Sequence, residues 1–188
     1  MFNKQSGFSL VELVVVIVVV GLLAVAALPR FLDVTDEAKK ASVEGVAGGY
    51  ATGVLSARAQ WEAEARPSLT INTEVRNTVN YDGIDFWLTS SDQTGGDFRD
   101  GYPYGLNTDN SSFPTSLDDQ ACIDLMENLL QNPPRVGTVA DAATDSNIKY
   151  SAQADNGAST CTYVQQEGNS DHQFVYEIET GRVTVTLQ

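Results

Sequence analysis

A single carboxylate, Glu12, lies inside a run of side chains from Phe8 to Leu28 whose other polar member is Ser9. An ionisable group at the centre of a membrane helix costs about 2.5–3.5 kcal/mol, and such groups usually mark a functional site. Glu12 comes early in the run, where the cost is lower. The alternative is a carboxylate that merely extends to the lipid headgroups. The chemistry to explain is therefore a negative charge near one end of an apolar helix.

The apolar run is long enough to cross a bilayer. Its 21 residues would form a helix of about 32 Å, against a hydrocarbon core of about 30 Å. A cleaved secretory signal instead has an apolar core of about 7–15 residues, followed by a small-x-small cleavage site. Here a short leader containing Lys4 ends in the small residue Gly7, which precedes the run. Cleavage at Gly7 would leave the whole helix on the mature chain.

Two cysteines, Cys122 and Cys161, offer a second piece of chemistry. They form no C-x-x-C motif, and the single histidine, His172, cannot complete a zinc site with them. One disulfide in an exported domain is the interpretation that we favour. The alternative, two free thiols in a cytosolic protein, is disfavoured by the apolar run. The disulfide requires the C-terminal part of the chain to lie on the oxidising side of the membrane.

Charge excludes one class of partner. From Pro67 to Gln188 the sequence holds 5 Lys and Arg against 18 Asp and Glu, a net charge of −13. Phosphate binding needs clustered Lys and Arg, and this region would repel a polyanion. The sequence therefore predicts a soluble, acidic domain that does not bind nucleic acid.

The remaining candidates for chemistry are weak. A membrane-anchored hydrolase would need a nucleophile motif such as G-x-S-x-G, and none is present. His172, beside Asp171, is interpreted as an exposed turn histidine. Four carboxylates could supply oxygen ligands to calcium: Asp92, Asp97, Asp100 and Asp109. Their spacing does not match an EF-hand, so a solvated acidic loop over 92–109 is favoured. We expect no catalytic residue, no cofactor and no metal.

The element that carries Glu12 should continue beyond the membrane. Pro29 predicts a kink, or a locally melted stretch, near residues 21–29. A helix should then resume and end before Pro67, because apolar residues recur at spacings of three and four: Val43, Val46, Ala47, Tyr50, Ala51, Val54 and Leu55. Glycines on this helix allow close approach of another element or, alternatively, only weaken it locally: Gly45, Gly48, Gly49 and Gly53.

The C-terminal part of the sequence predicts short helices and strands around the two cysteines. A strand is predicted at 82–89, with Ile84, Phe86 and Leu88 on one face and Trp87 on the other, and a long loop at 90–116. A helix with a serine cap carries Cys122 and closes before Pro133. Cys161 lies on a strand at 159–166. The last residues predict a β-hairpin that turns at Thr180 and Gly181, with two alternating sets: Phe174, Tyr176 and Ile178, then Val183, Val185 and Leu187.

These elements predict an α+β fold with four regions. A leader, 1–7, precedes a hydrophobic transmembrane helix, 8–28. The helix continues in amphipathic form over 29–66 and packs on an antiparallel β-sheet. A globular extracytoplasmic domain, 67–188, contains the disulfide-closed C-terminal region.

The stretch from Lys4 to Phe31, KQSGFSLVELVVVIVVVGLLAVAALPRF, resembles the prepilin signature of type IV pilins and pseudopilins. The shared features are a short basic leader, Gly before Phe, Glu as the fifth residue after the junction and a long apolar helix with a proline near its end. It is most similar to pilins of the mannose-sensitive haemagglutinin (MSHA) group. The resemblance implies that a prepilin peptidase cuts between Gly7 and Phe8 and methylates the new amine of Phe8.

The resemblance gives Glu12 a role. Its carboxylate is expected to pair with the Phe8 amine of a neighbouring subunit, because neither charge is stable alone in lipid. The implied function is a major or minor pilin, held in the inner membrane as a precursor and polymerised into an extracellular filament for adhesion. Its expected partners are other pilin subunits, the peptidase and the pilus assembly machinery. The alternative is a type II secretion pseudopilin.

Overall fold

The structure, a computed structural model, describes residues 7–93, 97–168 and 171–188. The chain divides into two units, one ending at Lys39 and the other beginning at Lys40. Its elements are α1 (Leu10–Ala63), β1 (Ser68–Ile71), β2 (Glu74–Tyr81), β3 (Ile84–Leu88), β4 (Pro103–Leu106), α2 (Asp119–Leu129), β5 (Val136–Thr138), α3 (Val139–Ala142), β6 (Tyr150–Asp155), β7 (Thr160–Gln165), β8 (Gln173–Glu177) and β9 (Arg182–Thr186).

The predicted long helix is confirmed as α1, which ends before Pro67 as expected. It is unbroken through Pro29, so local melting over 21–29, one of the two outcomes predicted at the proline, is not found. A single proline removes one backbone hydrogen bond, which the flanking turns tolerate. The other outcome, a kink at Pro29, stays a prediction.

From Lys40 onward, α1 buries one stripe of its surface. Six residues on it are 2% exposed or less: Val43, Ala47, Tyr50, Val54, Ala57 and Trp61. The predicted stripe was wrong at Leu55, which is 58% exposed. Each residue turns a helix by about 100°. Because Val54 occupies the inward position, its neighbour Leu55 points to solvent.

Close approach explains two of the four glycines on this helix. A Cβ at Gly53 would overlap the backbone carbonyl oxygen of Leu129, at the end of α2. At Gly49 it would lie 3.1 Å from Cδ2 of Leu130. At Gly45 and Gly48 it would meet nothing within 4 Å. The close-approach interpretation is therefore right at Gly49 and Gly53.

The first sheet has four antiparallel strands in the order β1-β2-β3-β4. Strand β3 confirms the strand predicted at 82–89, but Trp87 is buried together with Phe86 and Leu88. The long loop predicted over 90–116 is wrong in part, because β4 lies inside it and pairs with β3. The backbone of β4 pairs with β3 at the edge of the sheet, although its sequence is rich in turn residues.

The second sheet has five strands in the order β5-β6-β7-β8-β9. Its last pair is the predicted hairpin, in which Phe174 faces Val185 and Tyr176 faces Val183. The predicted α+β fold, with a long helix packed on antiparallel strands, is confirmed. Two details differ from the prediction: the described strands form two sheets rather than one, and β5 and β6 run parallel. The segment between these two strands, which contains the short helix α3, provides the crossover that a parallel pair requires.

The predicted disulfide joins Cys122 on α2 to Cys161 on β7. Helix α2 ends before Pro133 as expected, but its N-cap is Asp118 rather than the predicted serine, Ser116. The Asp118 carboxylate accepts a hydrogen bond from the backbone N–H of Ala121 at 2.7 Å. A carboxylate in this position also complements the positive end of the helix.

Aromatic rings fill the core beside the disulfide. The ring of Tyr50 on α1 lies 5.3–5.6 Å from the rings of Tyr163, Phe174 and Tyr176. The Tyr163 hydroxyl donates to the carbonyl oxygen of Cys122 at 2.7 Å and lies 3.1 Å from the Tyr50 hydroxyl. Burial, reinforced by neighbouring tyrosines, raises the pKa of Tyr50 well above its ordinary value. The hydroxyls are therefore neutral hydrogen-bonding groups that tie α1 to the second sheet.

Candidate functional site

The start of α1 is built around Ser9 and Glu12. The backbone N–H of Ser9 donates to Oε2 of Glu12 at 2.8 Å, and the backbone N–H of Glu12 donates to Oγ of Ser9 at 3.2 Å. These reciprocal bonds form a capping box, which satisfies backbone donors that the first helical turn leaves without partners. The carboxylate thus has a local structural task, which fixes its position on the first turn.

The sequence carries a signal for this cap that was not among the predicted features. Ser9-Leu10-Val11-Glu12 follows the pattern Ser/Thr-x-x-Glu just before an apolar run, which is typical of a helix N-terminus. Glu12 was interpreted only as a membrane charge, although its spacing to Ser9 also predicts a cap. The two roles are compatible, since an ionised carboxylate has about four lone-pair sites.

The apolar side chains that follow are all exposed. Phe8 is 91% exposed, and the large residues from Leu10 to Leu28 range from 44% at Val14 to 78% at Leu10. Consecutive residues are exposed, so the apolar surface covers every face of the helix. Part of α1 is long and apolar enough to cross a membrane, with a mean hydropathy of 3.0 over 18 residues. Such a surface needs lipid or other apolar helices around it.

The predicted cleavage position immediately precedes this helix. Gly7 and Phe8 are non-helical and exposed, and a Cβ at Gly7 would meet no atom of the described residues within 4 Å. Residues 1–6 of the predicted leader, which include Lys4, lie outside the described residues. The structure therefore brings Gly7, Phe8, Ser9 and Glu12 together at the accessible start of α1. Pro29 and the disulfide lie elsewhere along the chain.

The prediction that His172 is an exposed turn histidine is wrong. Its side chain is fully buried, and Nδ1 accepts a hydrogen bond from the backbone N–H of Gln188 at 3.1 Å. The backbone carbonyl of His172 also accepts from the N–H of Gln165. The residue thus ties the chain end to the second sheet, a contact that only the folded structure reveals.

Two of the four carboxylates over 92–109, those of Asp100 and Asp109, accept hydrogen bonds from nearby backbone N–H groups. Oδ1 of Asp109 accepts backbone hydrogen bonds from Ser111 at 2.9 Å and Ser112 at 3.0 Å, and these bonds lower the pKa of Asp109. Oδ1 of Asp100 accepts from the N–H of Ser91 at 2.7 Å. Within the part of the chain that the structure describes, no three His, Cys, Asp or Glu residues form a group that could hold a metal.

Comparison with known proteins bears on the N-terminal segment. A family model described as the prokaryotic N-terminal methylation motif matches residues 2–28. The segment carries this methylation motif. The match includes Gly7, Phe8 and Glu12 and ends at Leu28, so it coincides with the exposed apolar run and its cap.

Curated relatives extend beyond the methylation motif. The chain is 40% identical over 57 residues to a type IV narrow pilus major component, PilA5, of Thermus thermophilus (30% of this chain, 49% of the relative). It is 33% identical over 81 residues to the fimbrial protein EcpC of Eikenella corrodens (40% of this chain, 53% of the relative). A fimbrial protein of Moraxella nonliquefaciens is 38% identical over 56 residues (30% of this chain, 36% of the relative).

The chain thus spans about half, or less, of the length of these relatives. It is homologous to the Thermus type IV pilin over the matched segment. No solved structure matches the chain. The fold of the acidic domain therefore rests on its own sequence and geometry.

Proposed function

We propose that this protein is a structural subunit of a type IV pilus. The observation that carries the proposal is the capped apolar start of α1. Its large side chains are exposed from Leu10 to Leu28, and the only charged residue in that stretch, Glu12, lies on the first turn. A helix with this surface is stable only in lipid or when it packs against other apolar helices. The methylation motif over the same residues supports this interpretation.

In this proposal a prepilin peptidase cuts after Gly7 and methylates the new amine of Phe8. The precursor resides in the inner membrane, and the assembly machinery transfers it into an extracellular filament that serves adhesion. Glu12 pairs with the Phe8 amine of an adjacent subunit, which removes two uncompensated charges from an apolar setting. This pairing fixes each new subunit at a height set by the first helical turn.

We extend the proposal to the MSHA group of pilins, on the resemblance of residues 4–31 to that group. The cysteine pair and the long C-terminal region favour a pilin over a type II secretion pseudopilin. Long surface fibres that contain this chain would support the pilin. Their absence, together with failed secretion of other proteins, would support the pseudopilin.

Gly7→Val tests the processing step. A peptidase site that accepts a small residue before the scissile bond should reject a branched one. We expect full-length precursor to accumulate in the inner membrane, measured by intact-mass spectrometry of the membrane fraction. The matched control is Gly21→Val, the same change inside the helix, where a Cβ also meets nothing within 4 Å. The control should be processed normally. An N-terminal Phe8 in the Gly7→Val protein would refute the assigned cleavage site.

A further inference from the structure

The turn between β6 and β7 contains Asn156 followed by Gly157, the one Asn-Gly pair in the sequence. The Asn156 side chain is held at both of its polar atoms. Oδ1 accepts from the backbone N–H of Leu117 at 2.6 Å, and Nδ2 donates to the carbonyl oxygen of Leu117 at 2.7 Å. The amide thus imitates a β-bridge between this turn and the residues before α2.

An Asn-Gly pair has its own spontaneous chemistry. The Gly157 nitrogen can attack Cγ of Asn156, forming a new N–C bond while the bond from Cγ to the side-chain nitrogen breaks. The proton of the Gly157 N–H leaves with that nitrogen as ammonia. Water then hydrolyses the cyclic imide at either carbonyl, which gives aspartate or isoaspartate. Glycine favours the attack because no side chain shields its nitrogen.

The fold opposes this reaction at both reacting groups. The Gly157 N–H donates to Oδ1 of Asp155 at 2.8 Å, so the attacking nitrogen is engaged. The same carboxylate oxygen accepts from the N–H of Ala158 at 3.1 Å. Since Leu117 holds the Asn156 amide, reaction requires breaking hydrogen bonds on both sides. A carboxylate is far too weak a base to deprotonate a backbone amide, so Asp155 acts as a hydrogen-bond acceptor.

We propose that Asn156 is a deamidation site of this chain and that Asp155 and Leu117 protect it in the folded domain. Loss of the amide replaces the Nδ2 donor with an oxygen that faces the carbonyl oxygen of Leu117. That exchange breaks the bridge and sets two acceptors against each other. It also adds a negative charge to a region whose net charge is already −13.

The deamidation chemistry does not depend on the proposed function, but its consequence for the protein is larger if that function is correct. A subunit outside the cell is not renewed by synthesis in place, so slow covalent changes accumulate. The affected turn leads into β7, which carries Cys161 of the disulfide. Protection of Asn156 therefore preserves the contacts that close the C-terminal region.

The test keeps the full chain in detergent at neutral pH. Peptide mass spectrometry measures the fraction of aspartate and isoaspartate at position 156 over time. The reference is the same chain unfolded in urea with its disulfide reduced. The variants are Asp155→Ala, which removes the acceptor, and Asp155→Asn, which keeps an oxygen acceptor without the charge. Asp145→Ala is the matched control, because Oδ1 of Asp145 accepts from the N–H of Asn147 at 2.9 Å in a similar turn without a following glycine.

We expect deamidation in the folded wild-type chain to be slower than in the unfolded chain by about tenfold or more, the scale that hydrogen bonds of ordinary strength impose on a rate. Asp155→Ala should raise the deamidation rate of the folded chain towards that of the unfolded chain. The deamidation rates of Asp155→Asn and Asp145→Ala should stay near the wild-type rate. Circular dichroism confirms that each variant remains folded. Equal rates in the folded and unfolded wild type, or in Asp155→Ala and wild type, would overturn the proposal.

Discussion

Helix α1 has two stretches of opposite character. From Leu10 to Leu28 its large apolar side chains are exposed on every face, whereas from Val43 to Trp61 one stripe is buried among the aromatic residues of the second unit. The first stretch keeps its large apolar side chains exposed. The second is held by Tyr50 and its ring contacts. The comparison shows that a continuous helix can depend on different surroundings along its length.

The backbone explains why the first stretch is nevertheless helical. It is rich in valine, and β-branched residues are weak helix formers in water. In lipid, however, every backbone polar group must find a partner within the segment, which a helix provides. The capping box of Ser9 and Glu12 satisfies donors at the end of that helix. Its helical state thus fits an apolar environment better than water.

Removing the first stretch gives the largest expected effect. A chain without Met1 to Leu28 should be a soluble, acidic monomer, because the continuous exposed apolar run is gone and the buried stripe remains. Gel filtration and electron microscopy of that fragment provide the measurement. Filaments formed by the fragment would break the comparison, since the second unit would then assemble by itself.

The disulfide should matter to the second unit alone. Cys122 and Cys161 are 39 residues apart, and closing a loop of that size contributes about 4 kcal/mol in the chain-entropy model. Cys122→Ser should lower the thermal midpoint, with processing at Gly7 unchanged. The double variant Cys122→Ser with Cys161→Ser is the control for a lone thiol. An unmoved midpoint would mean that the bridge contributes nothing to stability.

Two glycines of the second stretch provide a paired test, because alanine should lower the stability of the fold at one of them and raise it at the other. Gly53→Ala should destabilise the fold by about 1–3 kcal/mol, because its Cβ would collide with the Leu129 carbonyl and strain the packing. Gly45→Ala has open space and should stabilise the helix by about 1 kcal/mol. Chemical denaturation measures both. Equal effects at the two positions would show that α2 does not depend on Gly53 for its approach to α1.

A small pH effect tests a local cap in the second unit. Hydrogen bonds from the Thr138 hydroxyl and backbone N–H lower the pKa of Asp141. A group with a lowered pKa in the folded state adds stability above its unfolded pKa and loses it as the pH falls through the folded pKa. NMR titration should place Asp141 below an ordinary aspartate, and Thr138→Val should raise its pKa. An Asp141 that titrates like free aspartate would contradict the cap.

Several elements could be predicted from sequence because their patterns are local. The apolar run, the stripe through Tyr50 and the alternation of the last hairpin each follow from helical or strand periodicity. The disulfide followed from a count of two cysteines. Each of these signals lies within one segment, or needs no geometry at all.

Other features depend on contacts that no local pattern records. Strand β4 lies among turn residues and exists because β3 pairs with it. His172 is buried because the chain end at Gln188 returns to it. The parallel pairing of β5 with β6 likewise depends on a crossover. Of the candidate site, the charge at Glu12 was predicted to be functional, whereas its hydrogen bonds with Ser9, although readable from their spacing, were not predicted.

The cap creates a direct test of the central claim, that the charge of Glu12 drives assembly. Glu12→Gln keeps an oxygen acceptor at the third helical position, as a capping box allows, and removes only the charge. Ser9→Ala keeps the charge and removes half of the cap. Val15→Leu is a control inside the apolar run. Filaments sheared from cells are measured against the amount of processed subunit in the membrane fraction.

Loss of one partner of a buried charge pair costs about 2 kcal/mol or more. We therefore predict a drop in filament yield of more than about tenfold for Glu12→Gln, with processed subunit still present in the membrane. Ser9→Ala and Val15→Leu should assemble at close to the wild-type level. Normal filaments from Glu12→Gln would contradict the proposed charge pairing and leave Glu12 as a helix cap alone.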